Sequence, residues 1–172
     1  MSGRADGQAL ARAERLREQR TEAACAELGE LAARWPEDAG LAYLTACAHD
    51  SLGLEAEAAP HYERALAARP GLSGEDRHGA FLGLGSTYRV LGRYPEAVAT
   101  LRLGLDEFPG DAALRTFLAM ALHNTGESAE AVRTLLRVTA ATSADARVRA
   151  YRRAIDHYAD HLDEVVPGGG RG

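Results

Sequence analysis

His157 and His161 stand one helical turn apart in a run that also holds Asp156, Asp160 and Asp163. That spacing can turn two imidazoles toward one metal ion. A polar, solvated helix face presents the same pattern, and no metal ligand is assigned on it. His123 could serve as a general base, but no motif sets a nucleophile or a carboxylate beside it. No catalytic residue is therefore assigned, and the chain is read as non-enzymatic. The run "GLGST" at 83–87 has a superficial likeness to a phosphate loop. Its glycines fall inside an apolar helical stripe, and no Gly-Lys-Ser/Thr follows. Cys25 and Cys47 are too few and too irregular for a disulfide framework or a zinc site. In alanine-rich helical surroundings each behaves as a small apolar side chain. No cofactor is expected.

The elements that position these residues follow from composition. Of 172 residues, 46% are hydrophobic and 26% charged, enough for a sizeable core and too apolar for a disordered chain. Alanine dominates while β-branched and aromatic residues are scarce, which favours helix. All 20 basic residues are arginine, and the net charge is −5. A basic surplus is what nucleic-acid binding needs, so no nucleic-acid partner is expected. No apolar stretch has signal-peptide or membrane-spanning length, so the chain is placed in the cytoplasm with no membrane partner. From residue 21 to 60 there are eight acidic residues against one arginine, Arg34, which reads as a solvated outer face.

The stretch "LGRYPEAVATLRLGLDEFP" at 91–109 supplies the organising register. Its Gly92, Ala97 and Pro109 have counterparts 39 residues earlier in Gly53, Ala58 and Pro70. Gly126 and Ala131 repeat Gly92 and Ala97 34 residues later. The chain divides into a degenerate unit at 5–38, units at 39–72, 78–111 and 112–145, a capping helix at 146–166 and a flexible tail at 167–172, all one domain over 1–166. Each unit reads as two helices joined by a tight turn. In the third, Phe81, Leu84, Tyr88 and Leu91 form one apolar stripe, Gly92 ends the helix, and Pro95 suits the first turn of the next. Helices are expected near 7–19, 22–34, 39–52, 55–69, 74–91, 95–108, 112–125, 128–141 and 144–166. The insert 73–77 should lengthen one first helix by about a turn, with Ser73 and Asp76 as a capping box and Asp111 and Ser143 as later N-caps. Ala46, Gly85 and Ala119, with Ala58, Ala97 and Ala131, are small where two antiparallel helices must approach closely.

This pattern resembles the tetratricopeptide repeat (TPR) family, and a subgroup of small bacterial members in particular. Leu84, Gly85, Tyr88, Gly92, Tyr94, Ala97 and Pro109 carry the likeness in the third unit; Ala46, Gly53, Ala58, Tyr62, Ala65 and Pro70 carry it in the second. The fourth keeps Leu118, Ala119, Gly126 and Ala131, with Ser143 in place of the proline. The first keeps Ala24, Leu28 and Pro36 and lacks a turn glycine. The resemblance implies an all-α, right-handed α-solenoid of helix hairpins with a C-terminal capping helix. It also implies a concave groove that binds a partner protein or peptide, lined here by Tyr43, Cys47, Leu82, Ser86, Arg89, Thr116, Met120 and His123. The Lys/Asn clamp that some members use for a terminal carboxylate is absent. An amphipathic helix or an extended apolar segment is the better-fitting partner. For Tyr43, Leu82 and Met120, packing against a neighbouring helix is an equally good reading.

The last predicted helix carries a stripe of Val148, Tyr151, Ile155, Tyr158, Leu162 and Val165 that must be buried, either as a cap on the fourth unit or as a dimer face. Its charges run basic first, at Arg147, Arg149, Arg152 and Arg153, and acidic last, at Asp156, Asp160, Asp163 and Glu164. Two copies paired antiparallel would set each basic half against an acidic one. The leading expectation is thus an interaction module or scaffold with an unidentified protein partner. The alternative is a self-associating homodimer whose groove is filled by another copy or by its own helix.

Overall fold

The computed structural model describes residues 5–68 and 71–165, all in helices and their connections. The helices are α1 (Gly7–Gln19), α2 (Glu22–Arg34), α3 (Ala39–Asp50), α4 (Glu55–Ala67), α5 (Gly74–Val90), α6 (Tyr94–Glu107), α7 (Ala112–Asn124), α8 (Ser128–Thr142), α9 (Ala146–Ala150) and α10 (Arg152–Asp160). The expected turn proline Pro70 and tail 167–172 lie outside the described residues. No helix among the described residues is long and apolar enough to cross a membrane.

Local chemistry sets the boundaries. Gly53, Gly92 and Gly126 take φ of +73°, +74° and +88°, the left-handed conformation that a Cβ penalises, and each lies in the turn that leads into its unit's second helix. The degenerate first unit solves the same problem without glycine. Arg20 closes α1 at φ 51°, ψ 50°, a conformation that costs a non-glycine residue about 1–2 kcal/mol. Asp6, Thr21, Asp38, Asp111 and Asp145 are N-caps whose side chains accept backbone N–H bonds.

Two expected caps differ. The Ser73 hydroxyl donates to the Asp76 carboxylate at 3.0 Å instead of accepting from the helix backbone. Ser143 closes α8, and Asp145 two residues later caps α9, because its carboxylate takes both Arg147 N and Val148 N. The insert does lengthen α5, to 17 residues against 12 in α3 and 13 in α7. Leu91, expected to complete that helix's buried stripe, is instead exposed in the turn. The acidic stretch is not one solvated face either. Asp38 is buried, binding Leu41 N and Ala5 N, and Asp50 is half-buried against Tyr62.

The small residues sit where helices meet. Ala46, Ala58, Ala97, Ala119 and Ala131 are all buried. A Cβ on Gly85 would lie 2.5 Å from Leu101 Cγ, so that glycine is a packing device and not part of a phosphate loop. Gly79 and Gly83 do the same for the preceding unit: their missing Cβ atoms make room for Tyr43 and Tyr62. Replacing Ala97 with Leu should destabilise the protein by about 1–3 kcal/mol, because overpacking a closed helix pair forces backbone shifts. The thermal midpoint should fall by about 2–4 °C per kcal/mol. An unchanged midpoint would place Ala97 off the helix contact.

The stacking gives the layer its curvature. Helices α1 and α3, α3 and α5, and α5 and α7 pack side by side, whereas among the described residues the backbones of α2, α4, α6 and α8 do not approach one another. First helices that touch and second helices that splay leave the first helices on the inner, concave row. Charge pairs link α1 to α2 through Arg12 and Glu27 and α5 to α6 through Arg77 and Glu107, and Arg102 reaches from α6 to Glu130 on α8.

The C-terminal segment departs most from expectation. Instead of one helix over 146–166, it forms two short helices broken at Tyr151 and ends at Asp160. It packs on α8 and not on α7, so it does not extend the inner row. The face turned to α8 uses Ile155 and the buried Ala159, with Arg133 Nε donating to Ala159 O at 3.2 Å. Tyr151, Tyr158, Leu162 and Val165 are exposed, so the predicted stripe is not buried against the fourth unit; only Val148 and Ile155 are half-buried.

Candidate protein-binding groove

The inner row carries the residues expected to line a groove, but they divide into two groups. Tyr43 is half-buried over Gly79, with its ring tilted against that of Tyr62 at 6.3 Å. Cys47 lies 3.7 Å from the Tyr62 hydroxyl, which donates to Asp50 Oδ2 at 3.2 Å. Burial is the main cause that raises the pKa of Tyr43, Cys47, Asp50 and Tyr62 above their ordinary ranges, so the two phenols and the thiol stay protonated. Leu82 packs on the main core. Thr116 spends its hydroxyl on Ala112 O, 2.7 Å away. This end of the row is mostly closed by its own packing, and Ser86 is half-buried within it.

The other group converges. Arg89 from α5, with Met120 and His123 from α7, lines a cavity of about 310 Å³ that α8 completes through Ala131, Val132 and Leu135. Its walls are chiefly apolar. Val132 and Leu135 are 45% and 39% exposed, which a core-facing pair would not be. Among the described residues α10 docks elsewhere on α8 and no further first helix covers them.

Arg89 adds a polar anchor. Its Nε is buried and has no hydrogen-bond partner among the described residues. An unsatisfied buried donor costs about 1–3 kcal/mol, a penalty that an incoming acceptor would relieve. Sequence reasoning placed Arg89, Met120 and His123 on the inner face and missed Val132 and Leu135. Those two belong to a second helix, which ordinarily faces outward, and only the position of α10 exposes them.

Paired helices stacked with an inner and an outer row define an α-solenoid repeat protein. A family model described as tetratrico peptide repeat matches residues 39–162, and the chain belongs to the tetratricopeptide repeat family. The match takes in α9 and α10 as well as the three regular units. A search of curated proteins found no match. Repeats of this family generally mediate protein–protein interaction.

Proposed function

We propose that this protein is a non-enzymatic cytoplasmic scaffold that binds an amphipathic helix of a partner protein at the Arg89–Met120–Leu135 end of its inner row. The apolar cavity beside the unpartnered Arg89 Nε carries this reading. An apolar side chain would fill the cavity, and a carboxylate or carbonyl on the same segment would accept from Arg89. The half-closed region around Tyr43, Cys47 and Leu82 would shape the approach and contribute little contact.

The test selects helical peptides from a randomised amphipathic library on the immobilised chain and measures them by fluorescence anisotropy. Selected peptides should carry an acidic residue flanking the apolar face. The double substitution Arg89→Glu with Met120→Ala should weaken them at least about 100-fold, since a desolvated charge pair and an anchor pocket are both lost. Far-UV circular dichroism should stay unchanged. Equal binding to the variant would move the interaction surface elsewhere.

A second reading has its own support. The exposure of Tyr151 and Tyr158, at 67% and 58%, leaves two aromatic rings uncovered on a segment with opposite charges at its two ends. A second copy of this chain would cover them in an antiparallel homodimer.

A further inference from the structure

Beyond the binding groove, one cluster of side chains gathers ligand atoms that neither the fold nor partner binding uses. His157 on α10 lies over His161, their rings stacked with centroids 4.4 Å apart. Glu164 returns just past the helix end, so that His157 Nε2 and Glu164 Oε2 are 3.1 Å apart. One ligand atom from each of the three lies within 4.8 Å of the others. Nitrogen and oxygen ligands about 2.0–2.2 Å from a tetrahedral ion sit about 3.3–3.6 Å from each other, so the two exposed rings must rotate out of their stack to turn both lone pairs on one ion.

Three further features prepare it. His161 Nδ1 is 2.7 Å from the His157 carbonyl oxygen, which can only accept. Its proton is therefore on Nδ1, and the Nε2 lone pair is free, as a metal ligand requires. The cluster lies at the C-terminal end of α10, where the helix dipole favours a cation. Arg137 donates to Asp160 at 2.6 Å and Arg133 to Ala159 O, fixing that helix end on α8.

The other stacked histidine pair makes a useful contrast. His49 and His61 are 5.4 Å apart, but the Arg64 guanidinium is 2.7 Å from His61 Nδ1. Burial, then Arg64, lowers the His61 pKa to about 4. A cation already holds that nitrogen, and a metal ion would be repelled.

We propose that His157, His161 and Glu164 form a surface site for a divalent transition-metal ion of the zinc type. Two imidazoles exclude Mg2+ and Ca2+ as preferred occupants, since both favour oxygen ligands. The metal replaces the proton between His157 Nε2 and Glu164 Oε2, which moves to Nδ1 or leaves to solvent. Three ligands from one chain leave a coordination position open for water.

Titration calorimetry of the full chain with Zn2+, in excess Mg2+, should show one equivalent bound. His157→Ala and His161→Ala should each weaken it at least about 10-fold, and Glu164→Gln less; losses of this order follow even from outer-shell changes at metal sites. All three side chains are exposed, so circular dichroism should match the parent. With Co2+ as probe, the parent should give the intense visible absorption of a low-coordinate site, and His161→Ala should not. No Zn2+ uptake overturns the proposal. So does uptake that survives His157→Ala with His161→Ala and disappears in His61→Ala or His123→Ala.

Discussion

Tyr62→Ala should cost about 3–5 kcal/mol, the range for removing a buried aromatic ring. The ring is 2% exposed and wedges between α3 and α5. A Cβ on Gly83 would lie 2.5 Å from its Cζ, so nothing else fills the space it leaves. Its hydroxyl also satisfies Asp50, a carboxylate whose burial already disfavours its charge. Tyr62→Phe removes that bond and the weaker contact with Cys47 Sγ, and should cost about 1–2 kcal/mol. The pair Tyr62–Gly83 should couple strongly. In the parent, Gly83→Ala must displace the ring and destabilise. In Tyr62→Ala it should become neutral or stabilising by up to about 1 kcal/mol, the helix preference of Ala over Gly. Urea denaturation of the four proteins measures the cycle. Additive effects would show that the ring does not rest on Gly83.

That wedge illustrates which parts of the fold the sequence made readable. Gly53, Gly92 and Gly126 were legible because a positive φ leaves glycine almost no substitute. Ala97 and Ala131 were legible because a repeated small residue at a helix crossing signals close approach. The partnership of Gly79 with Tyr43 and of Gly83 with Tyr62 was not, since it joins residues of two successive units. Arg20 escaped notice because a left-handed arginine carries no residue-type signature. At the C-terminus the three-and-four spacing of Tyr151, Tyr158 and Leu162 indicated one continuous buried helix, but of the three only Tyr158 lies within a helix and all three are exposed. Helical period shows that a face exists; it does not show which neighbour covers it. The break at Tyr151 has neither proline nor glycine to announce it. The groove was half legible for the same reason: Arg89 and Met120 follow from first-helix position, but Val132 and Leu135 become lining only where the next helix is displaced.

The displaced segment also supports the remaining expectation, a dimer that dissociates on charge reversal. Arg147, Arg149, Arg152 and Arg153 are all exposed, and none is in an ion pair among the described residues. Further along, Asp156 and Asp163 are exposed and unpaired among the described residues, while Asp160 is held by Arg133 and Arg137. Arg152 and Arg153 in the first turn of α10 and Asp160 at its end oppose that helix's dipole, whereas Arg147 and Arg149 sit in the last turn of α9, where a cation is favoured. An antiparallel two-fold pairing would place each basic half beside an acidic one and bury Tyr151 and Tyr158 against their copies. Sedimentation at micromolar concentration should then give a dimer mass that shifts toward monomer as salt shortens the screening length below about 10 Å. Replacing the four arginines by Glu makes both halves acidic and should leave only monomer, while Tyr151→Ser with Tyr158→Ser should weaken association without altering its salt dependence. A parent that sediments as a monomer at moderate salt rejects the dimer. A dimer indifferent to the four reversals places its interface away from α9 and α10.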